Sequence, residues 1–520
     1  TCTNQNSVTI YVNATDALSG VDHVKIMAWT GSKDWVKTNA ERDTTYNTET
    51  GLWEITFTFD EIRDTTTGEL NQGDGNYYFG AHIYDKAGNR RIVDGTTVIY
   101  DTTPPKITSI TYDPGWKNVD ITKGVEAVDA LSGIKLIEYS YDLNTWYSDW
   151  EISNKGYVRR TWTEEGDRVV YFRATDNAGN IWVYAFDGTH PSAYDLKIDK
   201  TSPVAGTYTV SGATFSDGKY YVTNNTAEIT LNFTGMSDNL SGLKNFDYYL
   251  RKDGAERTYD YNVEQSITGS TGYVKYKLNG EGTYVTEIYL YDNATNLVGY
   301  DSITIVADNT PPTITSITYD PGWKNVDITK YVEATDNLSG VKLLEYSYDL
   351  NTWYSDWDSS SGGYANKTWT EEGDRVVYFR ATDYAENIGV YAYDGVNPTA
   401  YDLKIDKTIP EIGTYTVSGT TVVGGKHYVT NENAEITLNF TGMSDNLSGL
   451  KNFDYYLRKD GAERTYDYNV EQNITGSTGY VKYKLNGYGT YTTEIYLYDN
   501  ATNHRGYQIL TINAVESIPI

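Results

Sequence analysis

The chain has 520 residues, a formal charge of -29 at pH 7 and 51 tyrosines. That length exceeds what one hydrophobic core holds and predicts several domains of roughly 100–150 residues, while so acidic a surface has no basic stripe for phosphates, which excludes nucleic acid and an anionic membrane face as partners. Abundant Thr, Asn, Gly, Val and Tyr with only 3 Met favour strands and turns, and the absence of any run of about 18 apolar residues predicts no membrane span.

The chain opens on Thr1 in place of Met, which reads as a processed or excised piece. Cys2 is the only cysteine, so no internal disulfide exists; it reads as incidental, with lipid modification or a cross-chain bond as alternatives. From residue 103 onward the sequence repeats. "TPPKITSITYDPGWKNVDITK" (103–123) returns at 310–330 with a single change, and "TWTEEGDRVVYFRATD" (161–176) returns unchanged at 368–383, an offset of 207 residues. The same offset relates 231–265 to 438–472.

Two short motifs subdivide that long unit. D-x-L-S-G occurs five times, at Asp16, Asp129, Asp238, Asp336 and Asp445, and D-x-A-x-N five times, at Asp85, Asp176, Asp292, Asp383 and Asp499. Five motif pairs predict five domains: a distinct first one over 1–101, then types A (102–200), B (201–308), A (309–407) and B (408–520). Proline closes each ladder at the joints "YDTTPP", "IDKTSP", "ADNTPP" and "IDKTIP". Within type A, "ITSITYD", "DITKGVEAVD", "IKLIEYSYDL", "DRVVYFRATD" and "AYDLKID" read as short strands bounded by turn residues. About seven such strands per 100 residues predict an all-β chain of tandem immunoglobulin-like β-sandwiches in an extended rod.

The runs "ITSITYDPGWKNVDIT", "ATDNLSGVKLLEYSYDLNTW" and "VVYFRATDNAGN" resemble the bacterial Ig-like repeats of surface proteins, including the OmpL47 type. The first domain, with "ALSGVDHVKIMAW" and "GNYYFGAHIYDKAGNRR", resembles repeats of streptococcal and clostridial surface proteins. The resemblance implies an extracellular prokaryotic or phage-associated protein whose repeats act as spacers, stalks or adhesive modules. It specifies fold better than function.

In such a sandwich the loops carrying the two motifs lie at one end, where the incoming linker also arrives. This should bring Asp101, Asp129, Asp176 and Asn180 together at one joint, and Asp308, Asp336, Asp383 and Asn387 at another. Oxygen-rich sites of this kind suit Ca²⁺. The same residues also read as turns closing on their own backbone, with Leu338 pinning the loop to the core, because no single loop has the dense ligand spacing of an EF-hand.

N-x-S/T sequons at Asn13, Asn224, Asn232, Asn239, Asn293, Asn337, Asn366, Asn439, Asn446, Asn473 and Asn500 are candidate glycosylation sites. Trp146 and Trp150, with their copies Trp353 and Trp357, offer flat faces for a sugar or, alternatively, core filling. Lys25 and Lys135 are amines for a cross-link, without a discriminating spacing. No nucleophile–base order or phosphate-cradling loop appears, and the five histidines are scattered. The expected function is therefore a non-enzymatic, extracellular or cell-surface structural or adhesive rod in a stalk, filament or surface layer. Its partners would be its own copies, or a host or cell-surface glycan or protein. The alternatives are a carbohydrate-binding accessory region of a secreted enzyme, or a phage fibre or decoration protein.

Overall fold

The computed structural model describes residues 1–31, 41–70, 73–184, 192–256, 258–259, 264–391, 398–463, 465–466, 471–506 and 510–520. Among these, regular structure is strand throughout except for one 3-10 turn, Phe59–Glu61. Five successive pairs of sheets form, and no strand crosses the boundaries at 101/102, 200/201, 308/309 or 407/408. No described helix is long and apolar enough to cross a membrane.

The second domain shows how alternation builds each sandwich. In Ile121–Val128 the residues Ile121, Lys123, Val125 and Ala127 point inward and are buried, the period of two expected of a strand with one wet face. This strand pairs with Lys106–Ile110 on one side and Tyr157–Trp162 on the other, and Ile152–Asn154 completes a four-stranded sheet. The facing sheet orders Trp116–Lys117, Tyr194–Ile198, Gly166–Asp176 and Ile134–Ser140, its first pair parallel. Ile107, Val125, Ile137, Val158, Phe172 and Leu196 meet between the sheets. The fourth domain repeats this arrangement, and the two B domains add a hairpin, Thr214–Ser216 with Lys219–Val222 in the first of them.

One core position carries a charge. Lys123 and its copy Lys330 are fully buried; each Nζ donates to a carbonyl, Thr111 at 3.5 Å and Thr318 at 3.4 Å. Burial lowers both pKa values, opposed by Asp113 and Asp195 around Lys123 and by Asp320 and Asp402 around Lys330.

The turn leading into each long penultimate strand is tied by the third residue of that strand. In the first, third and fifth domains this is Tyr77, Tyr284 and Tyr491, whose hydroxyls donate to the carbonyls of Gly73, Gly280 and Gly487 at 2.7, 2.8 and 2.8 Å. In the A domains Arg168 and Arg375 occupy the position and donate to Glu164 and Glu371 carbonyls at 2.5 and 2.6 Å. Tyr284→Phe keeps the ring and removes the bond, and it leaves the buried Gly280 carbonyl without this donor. A loss of about 1 kcal/mol of third-domain stability is expected, read by hydrogen exchange of Gly282–Asp292 in the full chain.

Candidate functional site at the domain joints

Each joint is built around one aspartate that belongs to two domains. The backbone N–H of Asp101 donates to the Thr3 carbonyl of the preceding sandwich at 3.0 Å, and Asp199, Asp308 and Asp406 bond Lys117, Val222 and Lys324 at 2.9 Å. Their carboxylates reach forward. Oδ2 accepts the backbone N–H of Ser132, Ser241, Ser339 and Ser448 at 3.0, 3.0, 2.9 and 3.0 Å, in the D-x-L-S-G loop of the next domain. All four are completely buried.

The two loop motifs close around this residue. The D-x-L-S-G aspartate accepts the N–H of its own Gly at 2.6 Å in Asp129, Asp238, Asp336 and Asp445. Positive φ at that glycine, 80° at Gly133 and 84° at Gly340, is the backbone form a side chain resists. The D-x-A-x-N aspartate accepts the backbone and amide N–H groups of its Asn, as Asp176 does from Asn180 at 2.9 and 2.7 Å. The same amides donate to the linker carbonyls: Asn180 to Asp101, Asn296 to Asp199, Asn387 to Asp308 and Asn503 to Asp406, at 2.7, 2.7, 2.8 and 2.7 Å. Asn180 and Asn387, expected to offer oxygen to a cation, therefore spend their nitrogens stitching the joint.

The result is three carboxylates packed together at every joint: Asp101, Asp129, Asp176; Asp199, Asp238, Asp292; Asp308, Asp336, Asp383; and Asp406, Asp445, Asp499. In each trio one oxygen per residue lies within 4.8 Å of the other two. Sequence reasoning assembled the first and third trios and missed the second and fourth, although "IDKT", "SDNLSG" and "DNATN" carried the same signal. Among the described residues no Lys or Arg forms an ion pair with any of the twelve. Burial, with repulsion from the two neighbouring aspartates adding to it, raises the pKa of Asp292, Asp383 and Asp499. Asp238 Oδ1 and Asp445 Oδ1 are buried without a hydrogen-bond partner. Converging hard oxygens in a site without a cationic side chain fit a divalent cation such as Ca²⁺.

Two further contacts fasten the joints. An acidic residue of the preceding domain holds the linker backbone: Asp74 accepts from Thr102 N at 2.8 Å, Glu165 from Lys200 N at 2.5 Å and Glu281 from Asn309 N at 3.0 Å, and Glu372 accepts from Lys407 N. Between the third and fourth domains Leu338 packs on Tyr221 and Val306 of its neighbour, and Tyr384 stacks on Tyr221 at 5.4 Å. The expectation that Leu338 pins its loop to its own core is thus corrected: it is an interdomain contact.

The remaining candidates sit elsewhere. Trp150 and Trp357 pack against the sandwich cores and donate from Nε1 to Ile137 and Leu344 carbonyls at 2.7 and 2.8 Å. Trp146 and Trp353 are half-buried, with Arg173 and Arg380 guanidinium groups 4.2 and 4.3 Å from the ring centres. Among the sequons, Asn293 and Asn500 donate Nδ2 to Ser241 and Ser448 carbonyls at 2.9 and 2.8 Å. Asn232, Asn366, Asn439 and Asn473 bond hydroxyls, and the Asn224 Oδ1 accepts from Thr226. Asn239, Asn337 and Asn446 are exposed in the D-x-L-S-G loops, as is Asn13 at the first domain's pole. Lys25 pairs with Asp43 at 3.7 Å and Lys135 is exposed.

The family described as bacterial Ig-like domain matches residues 3–102 and 408–509. No curated protein is significantly similar in sequence. Among solved structures, an I-band fragment of titin is 13% identical, covering 58% of this chain and 98% of that one, with a TM-score of 0.30. The ICAM-5 D1–D4 ectodomain fragment is 10% identical, covering 78% and 97%, with a TM-score of 0.31. The sialic acid binding region of a Streptococcus sanguinis adhesin, bound to 3'sLn, is 13% identical, covering 78% and 97%, with a TM-score of 0.19.

Replacing Asp238 by Asn tests the electrostatics. The new amide keeps the oxygen that Gly242 needs and presents N–H groups to the other two carboxylates. In chelator at neutral pH the Asp238→Asn joint should be the more stable, because the raised pKa of Asp292 marks a cost that exists only while Asp292 is ionised. A folded pKa above the unfolded one gives stability present at low pH and lost as pH rises through the raised value. The advantage of the variant should therefore shrink as pH falls toward the ordinary value of 3.8, measured as the difference between paired thermal melts.

Proposed function

We infer that this chain, whose first and fifth domains are bacterial Ig-like domains, serves outside the cell as a non-enzymatic rod, part of a cell-surface stalk, filament or surface layer, with Ca²⁺ stiffening its joints. The observation that supports this reading is the recurrence of one buried three-aspartate cluster at all four joints. A spacer needs its domains held in a fixed relation. Local interfaces repeated along a chain set that relation domain by domain. Here the hydrogen bonds of the linker aspartate fix the geometry, and a cation neutralises the charge that the geometry concentrates.

The large acidic surplus suits a setting where divalent cations are plentiful and close approach of like rods is resisted. The scarcity of open aromatic faces among Trp146, Trp150, Trp353 and Trp357 favours the structural role over the sugar-binding accessory module.

Two measurements check this. Titrating Ca²⁺ into the chelated chain should raise the melting midpoint, by about 2.7 kcal/mol of stabilisation per site at a hundredfold excess over Kd, and small-angle scattering should show a longer, stiffer particle. An unchanged midpoint and an unchanged scattering curve would remove the cation. Electron micrographs of the native source labelled with an antibody to the chain should place it on surface stalks, filaments or a lattice; label confined to a secreted enzyme would overturn the surface role.

A further inference from the structure

The first domain is built like the others except along one edge. In the other four, the strand that follows the linker lines the free edge of the second strand: Lys106–Ile110 on Ile121–Val128, Thr207–Ser211 on Glu228–Thr234, Thr313–Ile317 on Ile328–Thr335 and Thr414–Ser418 on Glu435–Thr441. In the first domain the corresponding sheet has three strands, Ser7–Val12, Leu52–Thr58 and Thr45–Asn47, and no described strand pairs with the outer edge of Ser7–Val12. Regular pairing ends at Val12, whereas in the second domain the matching strand continues to Val128, in register with Lys106–Ile110. Aligned on the D-x-L-S-G motif, Asn13, Ala14 and Thr15 correspond to Glu126, Ala127 and Val128.

The packing beneath that edge is correspondingly thin. Val8, Ile10 and Val12 are only half-buried, where Val125 and Val332 are wholly buried. Ala14 is half-buried, against 4% exposure at Ala127 and 5% at Ala334. A groove of about 490 Å³ runs between Asn13–Asp16 and the Asp85–Val93 segment. In the fourth domain the corresponding space is occupied by the incoming linker, whose Pro312 carbonyl lies 1.9 Å from where a Cβ on Gly389 would sit.

The joint chemistry at this pole is half present. Asp85 holds Asn89 through the same bonds seen at the joints, 2.7 Å to both its N and its Nδ2. Leu18 is 99% exposed, whereas Leu338, at the same motif position, packs on the neighbouring domain. The Ser19 N–H, whose counterparts bond the linker aspartate, instead turns to Asp16 at 2.7 Å.

We propose that this edge of the first domain is a receptor groove for an incoming β-strand of the form seen at residues 101–110, an aspartate, a short proline turn and an alternating apolar strand. The aspartate would take the Ser19 N–H and the Asn89 amide would take its carbonyl. The residues equivalent to Lys106, Ile107, Ser109 and Ile110 would lie opposite Thr15, Ala14, Asn13 and Val12, the register of the second domain. Strand addition to an open edge supplies main-chain hydrogen bonds, and alternate side chains set its register.

The occupant is a linker segment of another Ig-like domain and not the far pole of a second copy. At that pole Val515 stands where the offset of 207 places Asp308, and Tyr488 where it places Glu281. Both the shared aspartate and the acid that clasps the linker are missing there. The inference stands whether or not the joints bind a cation.

The test fuses residues 101–115 as an additional copy ahead of Thr1 in the full chain. Fusion places the strand at a high effective concentration. Amide exchange at Asn13, Ala14 and Thr15 should slow at least tenfold, with a higher melting midpoint for the first domain, and a synthetic peptide of sequence DTTPPKITSI should reproduce the protection at millimolar concentration. A fusion whose added strand carries Asp in place of the isoleucine equivalent to Ile107 should lose the effect. Protection from the fusion alone still supports the groove, since the trans peptide carries the full association cost. No protection from fusion or peptide overturns the proposal, and so does dimerisation of the unfused chain that protects the same amides.

Discussion

The structure depends on a single residue type in a single place: an aspartate whose backbone closes the last strand of one sandwich and whose carboxylate caps the loop of the next. Because both attachments are made by the same residue, the two domains cannot rotate about the linker without breaking a hydrogen bond on one side or the other. The donors it takes are backbone N–H groups, and bonds to a charged acceptor are the stronger kind. The Asn of the D-x-A-x-N turn adds a third attachment by donating to the linker carbonyl. Rigidity at the joint therefore comes from polar geometry, with an apolar contact added where Tyr221, Leu338 and Tyr384 meet.

That geometry concentrates charge. Bringing the linker aspartate against two loop aspartates puts three carboxylates within 4.8 Å, and burial removes the water that would otherwise screen them. Each carboxylate is hydrogen-bonded by N–H groups, which stabilises its ionised form, yet no neighbouring ammonium or guanidinium balances the trio. In a folded state of this kind either protons or a cation must offset the repulsion. The raised pKa values of Asp292, Asp383 and Asp499 express the first solution; the unpartnered oxygens of Asp238 and Asp445 are where the second would act.

Much of this was legible from residue spacing. Repetition at 207 residues located the domains, and the two motifs located the joint, because both follow strands that end at the same pole. The second and fourth trios went unread because the B domains insert Gly235 and Met236, or Gly442 and Met443, between strand and motif, which obscures the match to type A. Lys123 was readable in principle: it falls on the inward beat of Ile121, Val125 and Ala127, but its long stem reaching a carbonyl is a tertiary outcome. The roles of Asn180, Asn387 and Leu338 were not readable, since the choice between ligating and stitching, or between facing one's own core and a neighbour's, depends on where the preceding domain docks. The indole environments of Trp146 and Trp353 depend likewise on the cross-strand placement of Arg173 and Arg380.

The joint also gives the chain a direction. Every sandwich but the last presents a donor end, an aspartate with an acidic clasp behind it, and every sandwich including the first presents an acceptor end made of D-x-L-S-G and D-x-A-x-N. Val515 and Tyr488 remove the donor chemistry from the fifth domain, while the Val515 N–H still bonds the Val429 carbonyl at 2.9 Å as its aspartate counterparts do. The backbone scaffold of a joint is thus retained there without its charge. Since the carboxylate, and not the backbone bond, is what engages a following domain, the two poles of this five-domain array are chemically unequal: one is prepared to receive a strand and a carboxylate, and the other does not supply them.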